Sequence, residues 1–84
     1  MTKNRSSTNI IVDILHACAS GSLSTTRILY KANLAWYQGK QYIHELVAND
    51  LLASDTEDCY FTTDKGFEWL AYEEKQSQLL IVAS

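Results

Sequence analysis

The sequence of 84 residues contains no proline and has three glycines. It also has no glycine-rich phosphate loop, no metal-binding motif and no pairing of a nucleophile with a base. We therefore expect neither an enzyme nor a bound cofactor. Cys18 and Cys59 are the two thiols, and no CxxC pair is present. This pattern predicts two reduced, half-buried cysteines and no disulfide or metal site.

Long apolar runs are also missing. The apolar stretch at residues 79–83 is too short to span a bilayer, and Lys3 and Arg5 are not followed by an apolar run of signal-peptide type. We expect a cytoplasmic protein with no membrane partner. Apolar residues make up 46% of the chain and charged residues 20%, which is typical of a globular protein. The length predicts one domain over residues 1–84.

Charge is distributed unevenly along the chain. Residues 14–44 contain no acid and carry +3, from Arg27, Lys31 and Lys40. Residues 45–84 carry −7, from two lysines against nine acids, and the whole chain carries −3. Proteins that coat DNA are strongly basic because phosphate neutralisation drives their non-specific binding. The acidic total therefore favours either a sequence-reading regulator or a domain that binds protein.

Apolar residues at helical spacing predict three helices in the first half of the chain. The third covers residues 35–49, and a tight polar break at Asn33 separates it from a short second helix. Residues 1–7 are polar and are expected to form a disordered tail. Leu23 should fill part of the core from the first connection, which can hold a very short strand. The proposed helix ends are Ser7 or Thr8 and Ser20-Gly21 for the first helix, Ser24 or Thr25 for the start of the second, and Asn49-Asp50 for the end of the third.

The second half predicts a β-hairpin followed by a C-terminal helix. Residues 51–54 and 59–62 have the pattern of strands, and the polar residues 55–58 join them. Thr63 can cap the last helix, over residues 63–84. The order helix, helix, helix, hairpin, helix indicates a mainly α protein of the α+β class, a winged helix-turn-helix with one extra C-terminal helix. The side chains of that helix expected to face the core are Phe67, Leu70 and Ala71.

Two fragments resemble a known family. ILYKANLAWYQGKQYIHEL at residues 28–46 is similar to the RIxYKANLxYxQxxxYLxxL core of small archaeal winged helix-turn-helix proteins, which are predicted transcriptional regulators. YFTTDKGFEWL at residues 60–70 resembles the YxTTEKGxxFL element of the same family. That family is related to small archaeal chromatin proteins that pair through a long antiparallel C-terminal helix. The resemblance, which covers about residues 8 to 78, implies a winged-helix fold, a homodimer and DNA binding.

The sequence departs from the family pattern at three places. Gly39 replaces an apolar residue, usually leucine, and we expect a hollow there that Trp36 or another aromatic side chain fills. The wing tip, residues 55–58, is acidic, whereas many DNA-binding wings carry a lysine or an arginine. On the C-terminal helix, Glu74 and Ser77 interrupt the apolar repeat of a coiled coil.

A row of polar and aromatic side chains faces away from the core on the third helix. Glutamine can pair with adenine in the major groove, lysine can reach guanine or phosphate, and tyrosine can hydrogen-bond phosphate. The start of the second helix offers backbone N–H groups to a phosphate, where Arg27 and Lys31 share a face. An ordinary solvated surface is the alternative for both helices, and Trp36 either braces the third helix or lies against DNA. The candidate DNA-binding residues are Thr25, Thr26, Arg27, Lys31, Tyr37, Gln38, Lys40, Gln41 and His44.

The C-terminal helix presents more apolar surface than a monomer of this size readily covers. It either packs back onto the first helix or pairs with a second copy, and a two-fold pair would present two recognition helices to a paired DNA site. We interpret the chain as a homodimeric transcriptional regulator that binds double-stranded DNA through helix 35–49. The alternative is a winged-helix module that binds protein through an acidic surface. The candidate dimerisation residues are Trp69, Tyr72, Leu79, Leu80 and Ile81.

Overall fold

Four helices and a small sheet make up the part of the chain that the structure, a computed structural model, describes: the backbone of residues 7–83 and the side chains of residues 7–75. The three strands found there form one antiparallel sheet in the order β1-β3-β2. This is the predicted winged-helix arrangement, including the very short strand of the first connection. The elements are α1 (Ser7–Ala17), β1 (Leu23–Ser24), α2 (Thr25–Ala32), α3 (Trp36–Ala48), β2 (Leu52–Ser54), β3 (Cys59–Thr62) and α4 (Asp64–Ala83).

The start of α1 differs from the sequence prediction. Ser7 is already the first helical residue, so Ser7 and Thr8 lie inside the helix and neither precedes it as a cap. The expected tail therefore loses residue 7, and residues 1–6 lie outside the described part of the chain.

The ends of α2 and α3 agree with the prediction. The hydroxyl of Ser24 accepts a hydrogen bond from the backbone N–H of Arg27 at 3.3 Å, which caps α2. Asn33 ends α2 in the left-handed conformation, with φ 57° and ψ 52°, which asparagine tolerates better than most residues. Ala35 and Asn49 flank α3 as its terminal residues, within one position of the predicted ends.

One core unites the inner sides of the helices with β2. The apolar side chains that recur at helical spacing on α2 are all buried, as are most of those on α1. On α3, Ile43 and Leu46 are buried and Tyr42 and Val47 pack partly against them. The buried apolar residues are Ile10, Ile14, Leu15, Cys18, Ile28, Leu29, Ala32, Ile43, Leu46, Leu52 and Leu70.

The inner side of α4 is rotated from the prediction. Leu70 is buried as expected, but Phe67 is 43% exposed and Ala71 is exposed. The inner position one turn before Leu70 is Gly66, where a Cβ would collide with the backbone oxygen of Leu51 and come within 2.7 Å of a methyl of Thr62. A close approach between α4 and the wing therefore decides which side of α4 faces inward.

The start of α4 is fastened to the end of α3. The hydroxyl of Thr63 accepts from the backbone N–H of Gly66 at 3.0 Å, which is the predicted cap. The same hydroxyl donates to the backbone oxygen of Asp50 at 2.5 Å.

Among the described residues, no helix combines the length and apolar character that a membrane crossing requires.

The hollow expected at Gly39 is absent, because the side chain of Leu29 fills it. A Cβ on Gly39 would lie 2.5 Å from both Cγ and Cδ1 of Leu29. Glycine at this position lets α3 approach α2 closely, and Trp36 is not needed to fill space. Trp36 is instead 57% exposed.

The two cysteines are unpaired, Cys18 in the core and Cys59 at an intermediate position in β3. Desolvation by burial raises the pKa of the Cys18 thiol from 9.0 to about 11. The thiol is therefore neutral at physiological pH and behaves as a small apolar side chain.

Candidate nucleic-acid interface

The outer side of α2 carries two cations around an aromatic ring. Thr26, Arg27, Tyr30 and Lys31 line one shallow groove. The apolar residues of α2 face the core, so the helical repeat directs this group outward. Tyr30 is 86% exposed.

The outer side of α3 forms a second groove that begins at Trp36. The ammonium of Lys40 lies 5.3 Å from the centroid of the Trp36 ring, which is within range of a cation–π interaction. The interaction holds the lysine over the helix start without neutralising its charge. The residues that line this groove are Trp36, Tyr37, Lys40, Gln41, His44 and Glu45.

A third groove joins the two helices. It is lined by Thr26 and Tyr30 from α2, by Trp36 from α3, and by residues of the turn between them. Because neighbouring grooves share these side chains, the surface is continuous from Arg27 to His44. We define the α2–α3 face as Thr26, Arg27, Tyr30, Lys31, Trp36, Tyr37, Lys40, Gln41 and His44, and the acidic residue Glu45 lies at its margin.

Gln38 is set apart from the other sequence-predicted residues of α3. It lines a different groove, next to the start of α1, with Ser7, Tyr42 and Gln41. Tyr42 donates a hydrogen bond to the hydroxyl of Ser7 at 3.1 Å. Gln41 lines both grooves, whereas Gln38 lines only the groove next to α1.

Thr25 does not belong to the exposed surface, contrary to the sequence prediction. Its side chain is 1% exposed, and its hydroxyl donates to the Asp58 carboxylate at 2.8 Å. Its backbone N–H donates to the backbone oxygen of Asp58 at 3.1 Å. The hydroxyl and the backbone N–H of Thr25, which were expected to meet a phosphate, are therefore both bonded to Asp58, and the helix dipole favours a negative charge near this end of α2.

The acidic wing tip is held against the segment before α2. The hydroxyl of Ser22 donates to the Asp55 carboxylate at 2.7 Å, and Asp58 is bonded to Thr25. Asp58 has φ 69°, a left-handed conformation that aspartate tolerates. Two of the three acids of the wing tip thus accept hydrogen bonds from Ser22 and Thr25 of the same chain.

Sequence reasoning missed Tyr30 and left the role of Trp36 open. Tyr30 lies three positions after Arg27 and outside the buried stripe of α2, so its exposure was available from the helical repeat.

The candidate dimerisation residues differ in their exposure to solvent. Trp69 packs partly against the core of its own chain, whereas Tyr72 is 59% exposed. Nε2 of His16 lies 2.9 Å from Oε2 of Glu74, which joins α1 to α4. The start of α4 therefore packs back onto its own chain. The side chains of Leu79, Leu80 and Ile81 lie outside the described residues.

Comparison with known proteins agrees with this architecture. The chain is 38% identical over 53 residues to the uncharacterised protein MJ0287 of Methanocaldococcus jannaschii, a match that spans 63% of this chain and 55% of that protein. The crystal structure of Sso10a-2, a DNA-binding protein from Sulfolobus solfataricus, superposes with a TM-score of 0.81 and 26% sequence identity, covering 94% of this chain and 85% of that one. A profile of the winged helix-turn-helix family matches residues 4–80. The chain therefore belongs to the winged helix-turn-helix family.

Proposed function

We propose that this protein is a sequence-specific transcriptional regulator that binds double-stranded DNA through the α2–α3 face as a homodimer. The observation that carries the proposal is the charge of this face. Arg27, Lys31 and Lys40 are exposed on it, and residues 14–44 hold no acid, although the chain carries −3. Such a separation of charge directs a polyanion to one side of the molecule.

The fold supplies the geometry for reading a duplex. In a helix-turn-helix the second helix enters the major groove while the first crosses the backbone. Here α3 is the helix that would enter the major groove, and α2 is the helix that would cross the backbone. The similarity to Sso10a-2, which is described as DNA-binding, supports DNA binding by this chain.

The side chains of the face divide between base edges and phosphates. Gln41 and His44 lie along α3, where a glutamine amide can pair with adenine and an imidazole can hydrogen-bond a base edge or a phosphate. Arg27 and Lys31 lie on α2, where they are suited to the flanking phosphates. The phosphate contact proposed here uses these side chains and not Thr25, since the hydroxyl and the backbone N–H of Thr25 are already bonded to Asp58.

The salt dependence of DNA binding tests the proposal. Each neutralised phosphate contributes about −0.9 to the slope of log K against log salt. Three cations per protomer then predict a slope of about −2.7 for a monomer and about −5 for a dimer. Fluorescence anisotropy of a labelled duplex, measured over a range of salt concentrations, gives this slope.

A pair of charge-matched variants identifies the face. We expect Lys40→Gln to weaken duplex binding and to reduce the slope by about 0.9 per protomer. Lys65→Gln makes the same charge change at an exposed position in the first turn of α4 and should leave the slope unchanged. Equal effects of the two variants would mean that net charge, and not this face, drives binding.

The alternative function is a winged-helix module that binds a protein partner. The −7 charge of residues 45–84 favours it. Absence of duplex binding at low salt would support this alternative and would exclude the regulator.

A further inference from the structure

Duplex recognition uses the polar groups and edges of the aromatic side chains on the α2–α3 face and leaves the faces of their rings without a role. Tyr30 is 86% exposed, Tyr37 75% and Trp36 57%. Among the described residues, these are three of the five large apolar or aromatic side chains that are strongly exposed. A duplex offers phosphate oxygens, base edges and thymine methyl groups to a protein, but its bases are stacked on one another and leave no π-face for an aromatic ring to cover.

Exposed rings beside cations suit a nucleic acid whose bases are unpaired. In a duplex each base is covered by its neighbours, whereas the bases of a single strand offer a free π-face to an aromatic side chain. Stacking on aromatic rings together with a cationic path for the backbone is the general mode of single-strand binding.

The order of rings and cations on the face follows this pattern. Tyr30 shares a groove with Arg27 and Lys31. Trp36 has the ammonium of Lys40 over its ring and also lines the groove that it shares with Tyr30. Rings and positive charges therefore alternate across the junction of α2 and α3, where the sequence holds no acid.

We propose that the α2–α3 face also binds single-stranded DNA. Tyr30 and Trp36 stack on unpaired bases, and Arg27, Lys31 and Lys40 neutralise the phosphates between them. This activity does not require the duplex binding proposed above. Single-strand binding uses the faces of the aromatic rings, whereas duplex binding uses contacts of the protein with base edges.

The test compares two probes on the same variants. One probe is a fluorescein-labelled oligothymidylate of about 15 nucleotides, a length that covers the site of one small domain. The other is a duplex closed at both ends by non-nucleotide linkers, which has no unpaired bases. We expect Tyr30→Leu and Trp36→Leu each to lower the oligothymidylate affinity about tenfold, as loss of one base stack does, and to change duplex affinity by less than about twofold.

Two further variants serve as controls. Phe67→Leu makes the same kind of change at a partly exposed aromatic residue of α4 and should alter neither affinity. Lys40→Gln should weaken binding of both probes, because both carry phosphates. Thermal unfolding of each variant verifies that it is folded.

A spectroscopic measurement reports the stacking itself. In the Trp69→Phe background, Trp36 is the remaining indole, and oligothymidylate should quench its emission as a base stacks on it. The proposal is overturned if the oligothymidylate does not bind at low salt, if the two leucine variants weaken both probes equally, or if Trp36 emission is unchanged. Loss of duplex binding alone would overturn the regulator function and leave this inference standing.

Discussion

Two buried glycines set how closely neighbouring elements approach. At Gly39 a Cβ would meet the side chain of Leu29, which can rotate aside. At Gly66 it would meet the backbone oxygen of Leu51 and a methyl of Thr62, and the backbone cannot move without displacing the wing. The same residue type therefore carries different constraints at the two positions.

We expect Gly66→Ala to destabilise the fold by about 1–3 kcal/mol, the usual cost of overpacking, even after the gain in helix propensity of about 0.5–1 kcal/mol. Gly39→Ala is the matched comparison and should cost less, since Leu29 can change its rotamer. Urea unfolding followed by circular dichroism measures both free energies. A Gly66→Ala protein as stable as the parent would show that α4 is not seated as described.

Among the single elements, the wing is tied to the start of α2 by hydrogen bonds between Thr25 and Asp58. The hydroxyl of Thr25 is buried and donates to Asp58, whereas the bond from Ser22 to Asp55 is exposed. A buried donor without an acceptor costs more than an exposed one, which water can satisfy. The Asp58 contact should therefore dominate the position of the wing.

Asp58→Gly tests this contact, because glycine adopts φ 69° without strain but offers Thr25 no acceptor. We expect a loss of about 1–3 kcal/mol in the free energy of unfolding. Asp58→Asn keeps an acceptor and tolerates the same backbone, so it should lose less. Amide hydrogen exchange at Thr25 should be faster in the glycine variant than in the asparagine variant. Equal stability of the two variants would show that the wing is held by other contacts.

On the scale of the whole molecule, α4 has two surfaces of different use. Leu70 and Trp69 pack on the chain's own core, and Glu74 is bonded to His16 of α1. Tyr72 and Phe67 remain exposed at 59% and 43%. Of the candidate dimerisation residues, Tyr72 is the one whose side chain is both described and strongly exposed.

We expect the protein to sediment as a dimer and Tyr72→Glu to shift it toward the monomer, because a carboxylate buried at an interface without a partner is costly. Tyr30→Glu places the same new charge on an exposed ring of the α2–α3 face and should leave the dimer intact. Analytical ultracentrifugation over a range of protein concentrations distinguishes the two. A parent protein that sediments as a monomer would remove the dimer from the proposed function.

The features that sequence determined are those whose causes lie within a few residues. The cap at Ser24, the left-handed turn at Asn33, the strand Cys59–Thr62 and the cap at Thr63 each depend on local hydrogen bonds or on the alternation of side chains. The order of elements followed from these signals, and the cationic character of residues 14–44 is a property of composition.

Tertiary structure alone decided which polar side chains are available. Thr25 is buried and is hydrogen-bonded to Asp58, a residue 33 positions away. Gln38 lies next to the start of α1. Gly66 rotated α4 through contact with Leu51, and the turn at Asn33 brought Tyr30 beside Trp36. Each outcome depends on two elements meeting in space, and a periodic pattern within one element carries no information about its partner.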